Sequence, residues 1–479
     1  MRMFLIIFSY LMISSQFVGA QSLSLILRDI KSFGAKGDGK TNDHDAFARA
    51  AEFFNKRGGF GRLFISSGKY LVGRQIITDG QAGKMAWEGQ DVLEFNNLTN
   101  FSITGTPTSH IKYISGMRFG SFEPKSGKIK KVNGFFADPS YAAMVGHCIK
   151  FTNCKNIQVS QLDLNGNNSG LFLGGNYGDV GWQLHHYGIL IRDCINVNIH
   201  RVNVHHFGLD GIYIANRSSK APDNIEITNS KFDYNSRQGL TWAGGNDLNV
   251  RNCQFNHTGK GIFASPPSAG IDIEAEYGPV RNGAFENCSV LDANGCCLVA
   301  ESGDIRNVSF DNCTFWSSTT WSIWVKKPQF TFNGCNIFGP VVHGYDSPNN
   351  IDATKFLNCY FEDKPYRGKL PMENYLFESN HARRVRFENC QFYANTKKLF
   401  WMASPASYKP EEKYQLINCT FTSKSSGFSR GDFIAVMRGV FQKNTTFKFN
   451  NVAKEKGYFI ADCCENYNVD GGGNKIIYE

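Results

Sequence analysis

From residue 227 onward one four-residue phrase keeps returning: an apolar residue, any residue, Asn, then Cys or a small residue. It reads Ile227-Thr228-Asn229-Ser230, Val250-Arg251-Asn252-Cys253, Phe285-Glu286-Asn287-Cys288 and Phe310-Asp311-Asn312-Cys313. It continues as Phe332-Asn333-Gly334-Cys335, Phe356-Leu357-Asn358-Cys359, Phe387-Glu388-Asn389-Cys390 and Leu416-Ile417-Asn418-Cys419, and closes at Phe449-Asn450-Asn451-Val452. Successive copies lie 22 to 35 residues apart. Steps of that size, with occasional excess, mark one structural unit with loops inserted at some turns. The residues between copies are β-branched, aromatic, Asn and Gly, the composition of short strands joined by turns. One such coil cannot bury its apolar face alone. Stacking coils about 4.8 Å apart gives every strand a parallel neighbour and makes the interior continuous. The reading is therefore an all-β chain wound as a right-handed parallel β-helix. The repeated Asn is expected to form an internal ladder that bonds backbone groups left over at a bend. The repeated Cys is expected to point inward as a small apolar filler.

Fourteen Cys in an exported chain would ordinarily suggest disulfides, but seven, Cys253 through Cys419, share one repeat position. Aligned side chains point the same way rather than at each other, so buried free thiols are expected. Cys463-Cys464 lies off the ladder and is the better disulfide candidate. No paired Cys-x-x-Cys arrangement supports zinc. Export itself is inferred from residues 1–20: Arg2, an apolar core from Phe4 to Ile13, and Val18-Gly19-Ala20 as a cleavage site. A secreted or periplasmic location follows, and no later apolar run is long enough to span a membrane. The formal charge is +9, and +8 without Arg2. A mild positive excess suits a partner that is an acidic polymer, a polysaccharide or oligosaccharide rather than nucleic acid. Residues 21–479 are expected to form one domain, with an N-terminal cap at about 28–75, coils at about 90–452 and a C-terminal cap at about 453–479.

Near the start, Asp29 to Phe33 reads as strand, followed by a Gly-rich turn through Gly39. Asn42 or Asp43 is placed to cap a helix whose apolar stripe is Ala46, Phe47, Ala50, Ala51 and Phe54. Gly58-Gly59 ends it, and Gly61 to Val72 returns to strand with a turn at Ser67-Gly68. The residues Phe33-Gly34-Ala35, Gly37-Asp38-Gly39, Thr41, Asp43, Gly58-Gly59 and Gly68-Lys69-Tyr70 resemble the N-terminal motif of the pectate-lyase superfamily of β-helix proteins. Ser67 stands where that family often has Pro. The resemblance covers the first coil and implies a helix laid over the open end of the stack, where a bare sheet end would recruit another chain.

Two insertions break the rhythm. Gly116 to Met144 mixes Lys125, Lys128, Lys130 and Lys131 with Phe119, Phe122, Phe135, Phe136 and Tyr141, a mixture suited to an anionic sugar chain or to a self-packed loop. Asn165 to Tyr187 carries Trp182, His185 and His186.

The chemistry is expected on a second strand of each coil, which often opens with Gly. Aligned by coil these strands start at Gly188, Gly211, Gly239, Gly270 and Gly295. Alternation sends Ile and Leu inward and Leu190, Tyr213, Thr241, Asp272 and Cys297 outward, with Arg192, Ala215, Ala243, Glu274 and Val299 beside them. Asp272 and Glu274 then share one exposed face, about 6.6–7 Å apart, and Asp210 lies two coils earlier, roughly 9–10 Å along the axis. His205, His206, Arg237, Gln238, His257 and Lys260 occupy turns feeding these strands. With His186, Tyr213 and Arg192, and with Trp182, His185 and Trp324 as sugar contacts or platforms, they make the candidate substrate-binding set. Asp210, Asp272 and Glu274 are the candidate catalytic residues. Inverting glycosidic cleavage asks for two carboxyls about 6.5–9.5 Å apart, one protonated and one activating water. Close carboxylates raise one another's pKa.

Within the superfamily the chain resembles the polygalacturonase-related branch. That resemblance implies glycoside hydrolysis by Asp residues on the outer face, without a cofactor. Asp210-Gly211 matches the branch's Asp-Gly, but Gly208 and Leu209 replace its Asn-Thr, its Asp-Asp pair has no counterpart, and its His and Arg-Ile-Lys motifs are absent. A second reading is a lyase or C5-epimerase of uronic acids, with His206, Arg237, Lys260 or Tyr213 as base and Ca²⁺ held by Asp272 and Glu274. A third is glycan binding without catalysis.

Overall fold

The computed structural model describes residues 25–78, 86–130, 142–174, 186–365, 368–372, 375–405, 407–425, 435–451, 455, 459–461 and 468–479. The export segment, Trp182, His185, Cys463-Cys464 and Lys131, Phe135, Phe136 and Tyr141 of the first insertion lie outside the described residues.

The coils stack as the repeat requires. Among the described residues 40 strands join one continuous sheet, and the pairings from coil to coil are parallel. Parallel strands of one sheet, linked by crossovers of the right-handed sense, make a right-handed parallel β-helix. The interior is a column of rings. Phe285, Phe310, Phe332, Phe356 and Phe387 stack face to face, with centroids 4.7, 5.3, 4.9 and 5.0 Å apart. A second column runs Phe361, Phe392, Phe421, Phe447 at 4.1, 4.5 and 5.1 Å. These spacings are the spacing of the strands themselves, and each fully buried ring contributes about 1.5–3 kcal/mol.

The cysteines are free and buried at every described position. Each ladder thiol also donates to a carbonyl of the coil before: Cys313 to Phe285 O at 3.5 Å, Cys335 to Phe310 O at 3.3 Å, Cys359 to Phe332 O at 3.4 Å, Cys390 to Phe356 O at 3.2 Å. Cys is thus a filler that also satisfies an acceptor at the bend. The Asn ladder departs from expectation. It is exposed, not internal, and the side chains bond to each other rather than to backbone: Asn358 Nδ2 to Asn333 Oδ1 at 2.9 Å, Asn389 to Asn358, Asn418 to Asn389 and Asn444 to Asn418, each at 3.2 Å. What selects Asn is the corner. Asn229, Asn252, Asn287, Asn312, Asn358, Asn389 and Asn418 all have φ between 52° and 55°, and Gly334, in the same place, has φ 63°. Asn tolerates that left-handed geometry and Gly costs nothing there.

The first coil carries the helix His44–Arg57, with Ala46, Phe47, Ala50, Ala51 and Phe54 buried as its stripe predicts. Phe54 meets Phe101 at 4.7 Å and Phe47 meets Tyr70 at 5.6 Å, so the helix closes the end of the ring column. Asn42 Oδ1 accepts from His44 N–H at 3.1 Å. Asp43 caps differently: its carboxylate accepts from Lys36 and Gly37 N–H at 2.7 and 3.0 Å, stapling the Gly-rich turn to the helix start. At the other end Lys475–Tyr478 still pairs in parallel with Thr446–Phe449, so the stack runs on into the stretch expected to cap it.

In the first insertion, Arg118–Ser121 pairs with Ala142–Ala143 and Phe172–Gly174 in a small side sheet. Phe119 and Phe122 are buried in it and do not face a ligand.

Replacing Asn358 tests the corner. Asn358→Gly is expected to leave stability within a few tenths of a kcal/mol, whereas Asn358→Val should cost about 1–2 kcal/mol through its β-branched left-handed backbone. Urea midpoints of the two variants, compared with the parent, check this.

A buried carboxyl pair as the candidate active site

The second ladder of the coil runs Leu93–Asn96, Ile149–Thr152, Ile189–Arg192, Ile212–Ala215, Leu240–Arg251, Ile271–Ile273, Leu298–Ala300 and Ile323–Val325. Its inward positions are core: Ile212, Ile214, Leu240, Trp242, Ile271 and Ile273. Its outward row is Glu94, Lys150, Leu190, Tyr213, Thr241, Asp272, Val299 and Trp324, each the register partner of the next. Asp210 stands just before Ile212–Ala215, two coils from Asp272 as the coil count predicted, and its bond to Thr241 places it on the same side. One step fails. Cys297 faces the core, and Val299 takes the outward place beside Asp272. The pairing Ile271 to Leu298 slips the expected alignment by two residues, because Cys297, not Gly295, holds the place just before the strand that Gly211, Gly239 and Gly270 hold in the other coils.

Asp272 does not sit on a solvated face. It is fully buried, as is Asp210. The turn before Leu240 covers them with Arg237 and Gln238, both buried. Thr241, on the coil between, donates its hydroxyl to Asp210 Oδ2 at 2.8 Å. Arg237 Nη1 approaches the same oxygen at 3.9 Å. Gln238 is pinned at both ends: its Oε1 accepts from Ala269 N–H at 2.8 Å, and its Nε2 donates to Asp272 Oδ2 in a short contact. The second oxygens, Asp210 Oδ1 and Asp272 Oδ1, are buried and have no hydrogen-bond partner. Because the Ala269 bond fixes the amide's orientation, Asp272 Oδ2 is held as an acceptor. A proton on Asp272 therefore resides on Oδ1, the oxygen left without a partner.

Both carboxyls are shifted upward, for partly different reasons. Burial raises Asp210 from 3.8 to about 6, against the pull of Arg237 and the Thr241 hydrogen bond. Burial raises Asp272 well above the usual range, and the charge of Glu274 raises it further, with Arg237 opposing. Asp272 is thus held in its protonated form more strongly than Asp210, the direction of separation that acid/base pairs use. Glu274 lies just past the strand end, its N–H donating to Trp242 O at 3.1 Å. Glu276, two residues on, also bears on both carboxyls. Tyr213 belongs to the cluster too: burial and Asp210 push its phenol up to about 12, while Arg192 and Arg237 draw it down. Arg192 lies over the Tyr277 ring at 5.5 Å.

Other expected contacts lie elsewhere. His186 is a core residue, fully buried against Tyr113 and Phe207, with Nδ1 accepting from Gly208 N–H at 2.9 Å. His205, His206 and His257 belong to a separate cluster on the other ladder. There Asp163 accepts from His110 and His205 at 3.0 and 3.3 Å, His205 meets His206 at 2.6 Å, and His206, Tyr234 and His257 stack along the corner at 5.3 and 4.7 Å. Their long strands end before the turn that carries Asp210, so adjacency in number does not become adjacency in space. Lys260 pairs with Asp292 at 3.6 Å. Sequence reasoning passed over Glu276, although Asp272, Glu274 and Glu276 alternate, and over Tyr187, which stacks on Tyr213 at 5.0 Å. Among the described residues no group of three or more His, Cys, Asp or Glu is arranged to hold a metal ion, and no helix is long and apolar enough to cross a membrane.

Comparison with known proteins agrees with this architecture. A family model described as a right handed beta helix region matches residues 144–337. Among solved structures, the N-terminal fragment of bacteriophage phi29 gene product 12 superposes with a TM-score of 0.57 at 15% identity, over 94% of this chain and 70% of that one. The A-module of mannuronan C-5 epimerase AlgE4 of Azotobacter vinelandii gives 0.50 at 12% identity, over 94% and 97%. The chain is a right-handed parallel β-helix protein. It is also 47% identical to alginate lyase 7 of Azotobacter vinelandii over 53 residues, a stretch that is 11% of this chain and only 6% of that relative's length.

The buried pair carries a pH signature. A carboxyl whose folded pKa is raised keeps its full stability contribution below the unfolded value of 3.8 and loses it as pH rises through the folded value, about 6 for Asp210 and higher for Asp272. The wild type is therefore expected to lose stability from about pH 4 upward, relative to an Asp210→Asn/Asp272→Asn variant. Urea midpoints of the two proteins at pH 4.5 and 7.5 check the sign.

Proposed function

We propose that this protein acts on a polysaccharide and cleaves glycosidic bonds by carboxyl acid/base chemistry. The observation that carries the reading is the pair Asp210 and Asp272: both fully buried, on one side of the coil, each with an unpartnered oxygen, and with Asp272 favouring its protonated form more strongly than Asp210. In this reading Asp272 Oδ1 gives its proton to the departing glycosidic oxygen. Once the turn carrying Arg237 and Gln238 moves aside for the glycan, Asp210 takes a proton from the water that attacks the anomeric carbon. Glu274 keeps Asp272 protonated through like charge, Gln238 keeps the proton on the open oxygen, and Arg237 steadies Asp210 as an anion.

Asp210→Asn and Asp272→Asn are each expected to lower kcat roughly 10²–10⁴-fold. The rate should rise as Asp210 ionises near pH 6 and fall at higher pH as Asp272 ionises. Gln238→Leu should lower kcat roughly 10–100-fold with little change in KM, the rate equivalent of the about 1.5–3 kcal/mol of a hydrogen bond to a charged group. Purified protein on acidic and neutral polysaccharides, followed by both reducing ends and ultraviolet absorbance, tests the reading. Reducing ends without unsaturated products support it.

A second reading, uronate lyase or epimerase, draws on the segment shared with alginate lyase 7 and on Tyr213 beside Arg192 and Arg237, where a phenol could serve as base. Products absorbing in the ultraviolet, or C5 inversion without cleavage, would favour it. A protein that binds glycan equally well and turns over nothing would favour adhesion instead.

A further inference from the structure

Outside the main core, the described residues form two further apolar clusters, and they flank the carboxyl pair along the outward row. One is Tyr187, Leu190 and Leu209, with half-buried Tyr213 against them. The other is Ala269, Cys296 and Val299, with half-buried Trp321 and Trp324 against them. Tyr187 and Tyr213 stack at 5.0 Å, and Trp321 and Trp324 meet edge to face at 4.4 Å. By register, Tyr213 lies two coils from Asp272 on one side and Trp324 two coils on the other. The platforms are thus four rungs apart, about 19 Å, with the acid at the middle. That span accommodates roughly four pyranose rings laid along the axis. Tyr and Trp offer the flat, apolar surface on which the C–H face of a sugar ring sheds water, with a polar edge beside it.

The charges on the row say which sugars. Along this stretch, among the described residues, the carboxyls Asp210, Glu274 and Glu276 stand beside Asp272, which the acid/base reading keeps neutral, against two guanidinium groups, Arg192 and Arg237. The lysines at the row's margins are already matched. Lys150 pairs with Asp91 at 3.0 Å and Glu94 at 2.8 Å; Lys326 pairs with Glu301 at 2.6 Å while lying 4.5 Å from the Trp324 centroid. A uronate carboxylate placed here would meet surplus negative charge.

We infer that the outward row is a binding trough for a neutral pyranose polymer, seated on Trp321/Trp324 at one end and, at the other, on Tyr213, which is backed by the buried Tyr187. The bond over Asp272 then lies inside the bound run, so attack is internal to the polymer. This rests on the proposed acid/base reading and adds the substrate class and its subsites.

The test begins with the polysaccharide panel and then uses calorimetry on the Asp272→Asn protein, titrated with cellohexaose, mannohexaose, xylohexaose and a mannuronate hexamer, plus a hexamer of any polysaccharide the wild type degrades. A neutral hexamer is expected to bind. The matching dimer, and the hexamer with Trp324→Ala added, should each bind at least about 10-fold more weakly, and Trp324→Phe should recover most of the affinity. If the degraded or bound glycan is a uronate, or if Trp324→Ala leaves affinity for the neutral hexamer unchanged, the inference falls while the acid/base reading stands. If nothing is degraded and no hexamer binds, both fall.

Discussion

Every feature of this molecule depends on a strand having a parallel partner in the next coil. A strand of three or four residues in one coil has too few hydrogen bonds and too little apolar surface to hold its shape. Placed 4.8 Å from its copy, it completes its backbone bonding, and its inward ring lands on the ring below. The Phe columns, the thiol-to-carbonyl bonds of the cysteines and the Asn chain at the corner are three side-chain answers to that one spacing. A change of one residue in the length of a strand would turn its inward face outward. Loops of very different length are tolerated at the corners, because they leave the register alone.

The same register builds the carboxyl site. Residues far apart in number are brought to neighbouring rungs: Asp210 and Thr241 touch, and Thr241 is the register partner of Asp272. The outer face of a β-helix would ordinarily be wet. Here the turn that feeds the middle rung folds back over it, and Arg237 and Gln238 exclude water from both acids. Desolvation then sets the chemistry. A carboxyl kept dry favours its neutral form, a nearby guanidinium partly reverses that, and a neighbouring carboxylate reinforces it. Asp210 and Asp272 differ because Arg237, which acts on both, is joined by a hydroxyl at the first, while Glu274 opposes ionisation of the second.

Charge and shape along the row bear on the ligand together. The overall positive excess of the chain suggested an acidic polymer, yet the surface that carries the buried acids has more carboxyls than cations. Net charge is a property of the whole surface, and a site is governed by the few groups within a screening length of it. In the proposed trough, the aromatic clusters on either side of the acids would favour a ligand that presents apolar ring faces over one that presents charges.

What the sequence by itself determined was whatever repeats or obeys a local rule. The spacing of the Asn-Cys phrase required stacked parallel coils. The stripe Ala46, Phe47, Ala50, Ala51 and Phe54 required a helix with one buried face. The alternation in the second strand correctly aimed Tyr213, Thr241 and Asp272 to one side. Only the tertiary structure decided the rest, because each remaining question concerns what lies across from a residue rather than beside it in the chain. Asn and αL corners go together locally, but whether that corner faces in or out depends on the fold of the whole coil. Cys297 and Val299 have the same parity, and only where the strand begins, at Leu298, chose between them as the neighbour of Asp272. His205 and Asp210 are five residues apart, yet a strand end and a turn separate them into different clusters. Burial is the clearest case: nothing in the letters around Asp272 announces that a turn from the previous coil closes over it, and that cover is what keeps its proton in place.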